Sequence, residues 1–386
     1  MPLPPDVRDA FLIPDGALYL DTASNAPRLR SVHAALRRAW DESAAPWRLS
    51  FADWDAQIER VRALGSRLFH ADGRADAESV ALVPSVAHAM STIAAGWPLR
   101  AGDVVALLDG EFPSTLLPWQ VRCASIGAAL HAIDRVDARA ATLRLLEVAP
   151  PAVLVLSQSH WRDGRLLDLD AVADAARARG VPLVLDLSQS LGVLPGDVDR
   201  WRPAFAMSVG YNWLLMQKGL CLLWASAAWR ERIAPLEQHW QGRAPARPWH
   251  FGMDAPPPYR DGARRFDGGE VTEPLRLATA EAALAQLLEW TPAAVAQRLG
   301  ELTARLRAAL DAAGIGDWCL SPASPHLLGI APPPARLDAL RASFAASHVV
   351  CIERDGVFRL APHLHLGAAD IDRVAQAIVQ ANARRG

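Results

Sequence analysis

Short, continuously apolar runs separated by segments of helical period are the feature that most constrains the fold of this chain. The apolar runs lie at residues 80–83, 104–108, 152–156, 182–185, 205–208 and 220–224. They lack the polar alternation of a strand with one solvated face, so we predict strands that are covered on both faces. Helices are predicted between them, at residues 54–69, 88–96, 137–148 and 169–179. This βαβ rhythm predicts an α/β fold with a mostly parallel central sheet.

The pattern changes between residues 243 and 259, where prolines and glycines exclude a regular element. Further along, the sequence predicts helices at 273–290, 292–313 and 368–383 and short strands at 326–330, 349–353 and 357–360. A chain of 386 residues is long enough for two domains around a shared cleft. We predict an N-terminal segment that packs on the small domain, a large domain and a smaller C-terminal α+β domain, at residues 1–30, 31–250 and 251–386.

Charge and cysteine usage exclude several classes of protein. The net charge is −2 and both signs are mixed along the chain, so no nucleic-acid partner is expected. No apolar stretch reaches the roughly 18 residues that span a bilayer, and the first residues do not form a signal peptide. The four cysteines are scattered without a CxxC pair, which is typical of reduced thiols. We expect a cytoplasmic protein with no membrane partner.

Candidate site residues follow the predicted strands. In open α/β sheets, ligands bind beyond the carboxyl ends of the strands. Asp186 ends one run and Gln189 follows it, Phe112 comes after a second run, and Val86-Ala87 open a helix after a third. Taken singly, each has an ordinary structural explanation: an aspartate there can cap a helix, and a phenylalanine can be core. The joint pattern favours a ligand site.

Seven segments in chain order resemble one family. They read YLDTASNAPRLRSV, LVPSVAHA, GEFPSTLLPWQ, SHWRDGRLLDL, DLSQSLGVLPGDV, ARRFDGGEVTEP and FRLAPHLH. This series resembles the class V aminotransferases, pyridoxal-phosphate (PLP) enzymes of fold type I. The resemblance is strongest to the branch with isopenicillin-N-epimerase-like and sulfoxide-lyase-like members. It implies a large domain with a mostly parallel sheet, a smaller C-terminal domain, and a PLP site.

The resemblance also implies roles for the residues at the cofactor. Asp186 would pair with the pyridine nitrogen, Gln189 would hydrogen-bond the ring hydroxyl, and Phe112 would stack on the ring. Backbone N–H groups at Val86 and Ala87 would hold the phosphate.

The resemblance implies roles for four further residues near the cofactor. Ser208 would contact the cofactor, and Thr272 would reach the phosphate of a neighbouring subunit in a homodimer. Arg359 would clamp the carboxylate of a small amino-acid-like substrate, with Asn25 beside it.

One position departs from the family pattern. Where the family has approximately GYKW(L)LGPxG around its cofactor-anchoring lysine, residues 210–219 read GYNWLLMQKG. Asn212 therefore stands at the lysine position, and an amide can neither form the covalent C=N bond nor act as a general base. The glycine and proline of the following turn are replaced by Met216 and Gln217.

Several interpretations of Asn212 are open. The retained ring-binding residues favour an enzyme that holds PLP or its amine form noncovalently and acts on a small amino acid or adduct, as a lyase, cyclase or epimerase. The altered turn favours a retired, PLP-independent homologue serving as a partner or regulator. An engineered change is a third interpretation. Lys218, the only lysine, lies six positions further on, within a contour of about 20 Å, and could provide a relocated anchor.

Because Asn212 cannot act as a general base, a different residue must transfer the proton. His88, His160 and Tyr211 are candidates by position, and His160 is favoured because it follows a strand end. Cys351 lies in an apolar run, where a buried thiol does not support cysteine desulfuration. His363 and His365 alternate near the end of the chain, but no third ligand accompanies them, so no metal site is predicted.

Overall fold

The computed structural model describes residues 7–244, 253 and 255–383. The predicted boundary between residues 250 and 251 lies outside the described residues. The strands are β1 (Leu18–Tyr19), β2 (Val80–Val83), β3 (Val104–Leu108), β4 (Ala129–Ile133), β5 (Val153–Ser157), β6 (Leu183–Asp186), β7 (Phe205–Val209), β8 (Cys221–Ala225), β9 (Leu328–Ile330), β10 (Val349–Val350), β11 (Ile352–Arg354) and β12 (Val357–Leu360).

The helices alternate with the strands in the first part of the chain and dominate the last part. They are α1 (Arg30–Ser43), α2 (Phe51–Ser66), α3 (Val86–Gly96), α4 (Pro113–Ile126), α5 (Ala138–Val148), α6 (Leu169–Ala178), α7 (Val198–Trp201), α8 (Ala227–Arg230), α9 (Pro274–Trp290), α10 (Pro292–Ala312), α11 (Leu337–Ala346) and α12 (Ala368–Ala383).

The central sheet has seven strands in the order β2-β8-β7-β6-β5-β3-β4. β8 runs antiparallel to both of its neighbours, and the other strands are parallel to one another. The strands β2, β5, β6 and β8 are buried along their whole length, because helices cover both faces of the sheet. The predicted α/β fold with a mostly parallel sheet is confirmed. Since β6 lies in the middle of the order, the residues after it reach the centre of one sheet edge.

Three of the longer elements around the central sheet were not predicted. β4 is an edge strand whose first four residues are exposed, so it lacks the continuous apolar run that identified the others. α4 begins with Pro113, which is favourable at a first helical position, but Pro118 inside it argues against a helix when only the sequence is considered. α1 buries only Val32, Ala35 and Ala39. Because these residues are small, the apolar face of this helix is hard to recognise from the sequence.

The last part of the chain contains a three-stranded antiparallel sheet in the order β11-β12-β9. The single strand predicted at 349–353 is wrong: Cys351 separates β10 from β11, and the two strands belong to different sheets. β10 pairs in parallel with β1, with Leu18 opposite Val349. This partner lies more than 300 residues away in the sequence, so local pattern cannot reveal it. The three-part domain division stays a prediction.

The segment predicted to be irregular, 243–259, is described only in part. Its two ends meet: Arg243 bridges Tyr259, and the Arg243 guanidinium lies 3.7 Å from the centroid of that ring. Across the described ranges, no helix combines the length and apolar character needed to cross a bilayer. The same ranges contain no group of three or more His, Cys, Asp or Glu side chains that could hold a metal.

Candidate functional site

A cavity of about 370 Å³ lies at the sheet edge where the parallel strands end. Residues that follow β2, β3, β5, β6 and β7 line it, as expected for an open α/β sheet. Because β8 runs in the opposite direction, its first residue, Cys221, reaches the same edge. This side of the cavity is therefore built by the turns that follow the strands of a rigid sheet.

Asp186 supplies a buried carboxylate to the cavity. Its side chain accepts hydrogen bonds from Thr115 Oγ1 at 2.7 Å and from the Ser188 backbone N–H at 2.9 Å. Among the described residues, no cation forms an ion pair with it, and it is only 6% exposed. Burying a carboxylate without a cation is costly. This position therefore suits a cationic N–H group of a ligand.

The Gln189 side chain is fixed next to Asp186. Its amide nitrogen donates to the Ala23 carbonyl, and its amide oxygen accepts from Trp213 Nε1, both at 2.9 Å. His326 Nε2 lies 2.6 Å from the Gln189 carbonyl oxygen, which holds the backbone of the same residue. A primary amide has a second N–H, and that donor is left for the cavity.

The first turn of α3 forms the anion-binding side of the cavity. Ser85 caps the helix by accepting from the His88 N–H at 3.0 Å, and Val86 and Ala87 are the first helical residues. N–H groups in a first turn have no partner inside the helix, and the helix dipole favours a negative charge there. This end of the cavity suits a phosphate.

Asn212 lies in the turn after β7 and lines the cavity with 4% exposure. Its amide oxygen is buried and has no hydrogen-bond partner among the described residues. The turn is tightly packed: a Cβ on Gly210 would lie 2.3 Å from the Leu220 carbonyl oxygen, and Leu215 has a φ of 57°. An unpaired buried acceptor is costly, so it suits a donor on a bound ligand.

Aromatic side chains form the mouth of the cavity. Phe112 is 41% exposed, and its ring meets Trp161 edge to face with 5.1 Å between the centroids. Trp161 Nε1 donates to the Gly110 carbonyl at 2.8 Å, which fixes the indole. Phe112 lines the cavity, where an aromatic ring can stack on a flat ligand.

Glu111 is a cavity residue that sequence reasoning missed. Its carboxyl accepts from Ser157 Oγ at 2.5 Å and from the Phe112 N–H at 3.1 Å. Burial raises the pKa of this carboxyl, and Asp186 nearby adds to the effect. Glu111 follows a predicted strand and directly precedes Phe112, and this position could have identified it as a cavity residue from the sequence.

Arg359 is held by protein groups. One terminal nitrogen donates to the Trp161 carbonyl, and the other donates to Asp21 Oδ1 at 3.0 Å and to Ser24 Oγ at 2.5 Å. Burial lowers the pKa of this arginine, and the Asp21 contact opposes that effect. Arg359 lines the cavity, but most of its donors are used.

Other predicted residues lie away from the cavity surface. His160 is 1% exposed and does not line the cavity, and its Nδ1 lies 3.4 Å from Asp163 Oδ1. Ser208 is buried in β7 and donates to the Val209 carbonyl at 3.1 Å. His88 lies in α3 without lining the cavity, and burial lowers the pKa of its imidazole.

Asn25 and Thr272 also do not line it. Asn25 is exposed, and its carbonyl accepts from the Tyr19 hydroxyl at 2.6 Å; Ser24, one residue earlier, lines the cavity. The role predicted for Thr272 concerns a neighbouring subunit and stays a prediction.

Tyr211 lines the cavity, and burial raises the pKa of its hydroxyl. Lys218 Nζ lies 5.0 Å from the centroid of the Tyr211 ring, but Lys218 is exposed and does not line the cavity. Lys218 could therefore anchor the cofactor only after a rearrangement of its loop.

Comparisons with known proteins identify the family of the chain. The family model "Aminotransferase class-V" matches residues 18–324. The uncharacterized aminotransferase YcbU of Bacillus subtilis (strain 168) is 26% identical over 321 residues, which cover 81% of this chain and 81% of that protein. The isopenicillin N epimerase of Streptomyces clavuligerus is 26% identical over 398 residues, which cover 97% of each.

A solved structure of a C-DES mutant, with glycine covalently linked to the PLP cofactor, has a TM-score of 0.83 and 18% identity. The match covers 96% of this chain and 98% of that chain. This likeness confirms the predicted fold. Because the family model spans most of the sequence, the chain belongs to the aminotransferase class-V family.

Proposed function

We propose that this protein holds PLP or its amine form noncovalently and acts on a small amino acid or amino-acid adduct, as a lyase, cyclase or epimerase. One observation carries the proposal. The cavity floor, formed by Asp186, Gln189 and Asn212, contains a buried carboxylate that no cation of the described residues pairs with and an amide oxygen without a partner among them. Membership of the family and the PLP-containing C-DES structure support it.

The residues around the cavity fit the cofactor. Asp186 would bind the pyridine N–H, the spare amide N–H of Gln189 would bind the ring hydroxyl, and Phe112 would cover the ring face. The first turn of α3, at Val86 and Ala87, would bind the phosphate. When bound, PLP supplies an electron sink for charge that develops at a substrate carbon.

Asn212 would orient the ligand without forming a bond to it. Its unpaired oxygen accepts a hydrogen bond from an amine, and its N–H groups can donate. The tight turn around Gly210 and Leu215 keeps the amide at the floor. An amide offers no amine for a covalent bond, so cofactor retention would depend on the noncovalent contacts.

Glu111 is the cavity residue best suited to hold a proton. Its raised pKa moves its titration toward neutral pH, where a general acid or base is most effective. Ser157 donates a hydrogen bond to this carboxyl and also lines the cavity. Its hydroxyl would therefore connect Glu111 to a bound substrate. Tyr211 has a raised pKa, so its hydroxyl is neutral and can donate a hydrogen bond.

The thiols do not favour desulfuration. Burial raises the pKa of Cys351 and that of Cys221, in each case to about 12. Neither is a thiolate at neutral pH, and the thiolate is the nucleophile.

We further propose a cytoplasmic homodimer. A second, largely apolar groove of about 610 Å³ between α3 and α4 shares Ala87 and Ser114 with the cavity. It includes the exposed side chains of Leu117, Val121 and Leu236. A second copy would cover this apolar surface. Light scattering that gives a monomer mass at micromolar concentration would contradict the homodimer.

The test of the proposed function is the absorbance spectrum of the purified protein, recorded before and after PLP is added. We expect saturable PLP binding that survives desalting and is lost on denaturation. Borohydride treatment before denaturation, followed by peptide mass spectrometry, should leave no pyridoxyl group on the peptide that contains residues 212 and 218. A label on Lys218 would establish the relocated anchor. Absence of binding by either cofactor form would favour the retired, PLP-independent homologue.

A further inference from the structure

We propose that a pocket at the opposite edge of the central sheet binds a phosphate ester of an apolar or aromatic group, at a site separate from the PLP cavity. The pocket has a volume of about 320 Å³. We call it the basic pocket, because Arg177, Arg202 and Arg232 line it. β6 begins in this pocket at Leu183 and ends at Asp186 in the cavity, about 10 Å further along the strand.

The basic pocket lies where β6 and β7 begin and where the antiparallel strand β8 ends. Its cations come from three separate segments: Arg177 from the last turn of α6, Arg202 from the turn before β7 and Arg232 from the chain after α8. The Arg202 backbone is in the left-handed region, with a φ of 47°. Glycine or asparagine is the usual residue in this conformation after a helix. An arginine at this strained position therefore indicates a function for its side chain.

Protein carboxylates leave two of the three cations unpaired. Among the described residues, no acidic side chain lines the pocket, and neither Arg202 nor Arg232 forms an ion pair. Glu231 stands beside Arg232 in the chain, but it pairs with Arg265 at 2.9 Å. The charge of Arg202 and that of Arg232 are therefore available to a bound anion.

Arg177 has a carboxylate partner that it shares. It pairs with Asp174, and both oxygens of Asp174 also accept hydrogen bonds from Arg200, at 2.6 and 2.5 Å. One carboxylate therefore serves two guanidinium groups. Cations that converge on one pocket repel each other, and an anion among them relieves this repulsion. The pocket suits an oxyanion that carries more than one negative charge.

A phosphate monoester matches the donors of the basic pocket. It carries a charge of about −1.5 to −2 at neutral pH and has three acceptor oxygens. Guanidinium groups bind such oxygens through pairs of N–H donors. The guanidinium carbon of Arg232 lies 5.2 Å from the centroid of a Trp229 ring. An arginine above an aromatic ring keeps the N–H groups at its edge available, so Arg232 can be held by Trp229 and bind a phosphate at once.

The rest of the pocket surface is largely apolar. Its buried apolar residues are Ala173, Val181, Leu183 and Trp201. Trp201 Nε1 donates to Asp170 Oδ1 at 2.7 Å, and Trp229 stacks on Trp97 with 4.1 Å between the ring centroids, so both indoles are fixed. Apolar walls with a few convergent charged groups are typical of small-molecule sites. Inorganic phosphate would leave this apolar surface uncovered, whereas an ester would cover it.

The experiment measures the binding of small probes to the whole chain saturated with PLP, so that the phosphate site at α3 is filled. Phenyl phosphate and AMP represent a simple aryl phosphate and a nucleotide. Their controls are phenol and adenosine, which lack the phosphate, and inorganic phosphate, which lacks the apolar group. We expect at least one ester to bind about tenfold or more tighter than its controls in calorimetric titrations, and its affinity to weaken as salt is added.

Variants assign the binding to the basic pocket. Arg202→Gln and Arg232→Gln should each lower the affinity of the ester about 10- to 100-fold, whereas Arg232→Lys should keep part of it. Both side chains are exposed, so the thermal midpoint should change little. The control is Arg179→Gln, an exposed arginine after α6 with no ion pair among the described residues and outside the pocket lining, and it should leave the affinity unchanged.

Four outcomes would overturn the inference: no saturable binding of either ester; an ester affinity that both glutamine variants leave unchanged; an ester affinity no higher than that of inorganic phosphate; or displacement of the ester by PLP, which would place it in the cavity. PLP affinity should be unchanged in Arg202→Gln and Arg232→Gln, because these residues lie at the other end of β6. If the native protein bound no PLP, the proposed function would fail, and the glutamine variants would still test the basic pocket.

Discussion

The floor and the outer wall of the cavity are built by different means. On the floor, Asp186 and Gln189 are held by neutral hydrogen-bond donors and acceptors, and the residues follow strands that are buried on both faces. The outer wall is formed by Trp161, Arg354 and Arg359. Its two arginines lie on the β11–β12 hairpin and meet a tryptophan and a carboxylate from distant parts of the sequence. The floor depends on local turns of a rigid sheet, and the wall depends on long-range charge pairing.

This difference has a functional consequence. A cofactor that stays bound needs a site of fixed geometry, which strand ends provide. A substrate that must enter and leave suits a wall whose charges are partly exposed and can exchange partners. We therefore expect changes on the floor to alter cofactor binding, and changes on the wall to alter substrate binding and the docking of the N-terminal segment.

The largest expected effect comes from Asn212→Lys. A primary amine on the floor would lie at the position that the family resemblance gives to the anchoring lysine, so borohydride reduction should now attach a pyridoxyl group to residue 212. The change is from no covalent label to one label per chain, measured by peptide mass spectrometry. The control Asn212→Gln keeps an amide and should stay unlabelled.

Activity sharpens the same comparison. If Asn212 orients the substrate, Asn212→Lys should abolish native turnover while cofactor retention improves. If the native protein is a retired enzyme, the variant should gain weak lyase or transaminase activity and lose no native property. A variant that binds PLP but is not labelled would mean that Asp186 and Phe112 do not surround a pyridine ring.

The second prediction concerns the wall. Asp21→Asn leaves the Arg359 guanidinium buried without its carboxylate, so we expect the free energy of unfolding to fall by about 3 kcal/mol. Urea unfolding followed by tryptophan fluorescence measures this loss. Asp41→Asn, at an exposed aspartate of α1, is the control and should change stability little. Equal destabilisation by both variants would show that the Asp21–Arg359 pair does not hold the wall.

The floor was predictable from the sequence for a physical reason. Strand ends and the turns after them are local in sequence, so the pattern of apolar runs alone assigns Asp186, Gln189, Phe112 and the start of α3 to one sheet edge. Their assembly around one cavity then follows from the parallel sheet. The same locality explains why the predicted strands agree with β2 and β3 at both ends.

The wall was not predictable, because its contacts are nonlocal. Asp21 and Arg359 are separated by 338 positions, and nothing in either neighbourhood indicates the pair. Arg354 stands between Glu353 and Asp355, and the sequence alone suggests a solvated charged turn. In the structure these acids pair with Arg341 and Arg162, and Arg354 has no carboxylate partner among the described residues. His160 was misleading for the opposite reason: it follows a strand, but its buried ring lies beside Asp163 and does not line the cavity.

The third prediction returns to the floor. Asp186→Asn removes the negative charge but keeps an acceptor for Thr115, so the fold should survive. PLP affinity should fall about 100-fold, since a charged hydrogen bond to the ring nitrogen is lost. Equilibrium dialysis measures the affinity. Asp109→Asn is a matched control: Asp109 follows β3 at the same sheet edge but is exposed and pairs with Arg135. If Asp21→Asn lowered PLP affinity equally, floor and wall would not be separate functional regions.

The smallest expected effect concerns the support behind the floor. The His363 ring stacks on Trp213 with 5.9 Å between centroids, and Trp213 holds Gln189. Both ring nitrogens are buried without a partner among the described residues, and burial lowers the pKa of His363 to about 3, with His365 and His326 adding repulsion.

The pH dependence follows from this pKa. An unfolded histidine takes up a proton below pH 6.5, whereas folded His363 stays neutral down to about pH 3, so its contribution to stability falls as the pH drops through this window. At pH 5 the loss is about 2 kcal/mol relative to pH 8. His363→Phe keeps an aromatic ring and cannot titrate, so urea unfolding at the two pH values should show a difference smaller by that amount. The exposed His33→Phe is the control and should leave the difference unchanged. If His363→Phe also leaves it unchanged, the ring is protonated in the folded protein, and the packing of Trp213 against a neutral imidazole cannot be what fixes Gln189 on the floor.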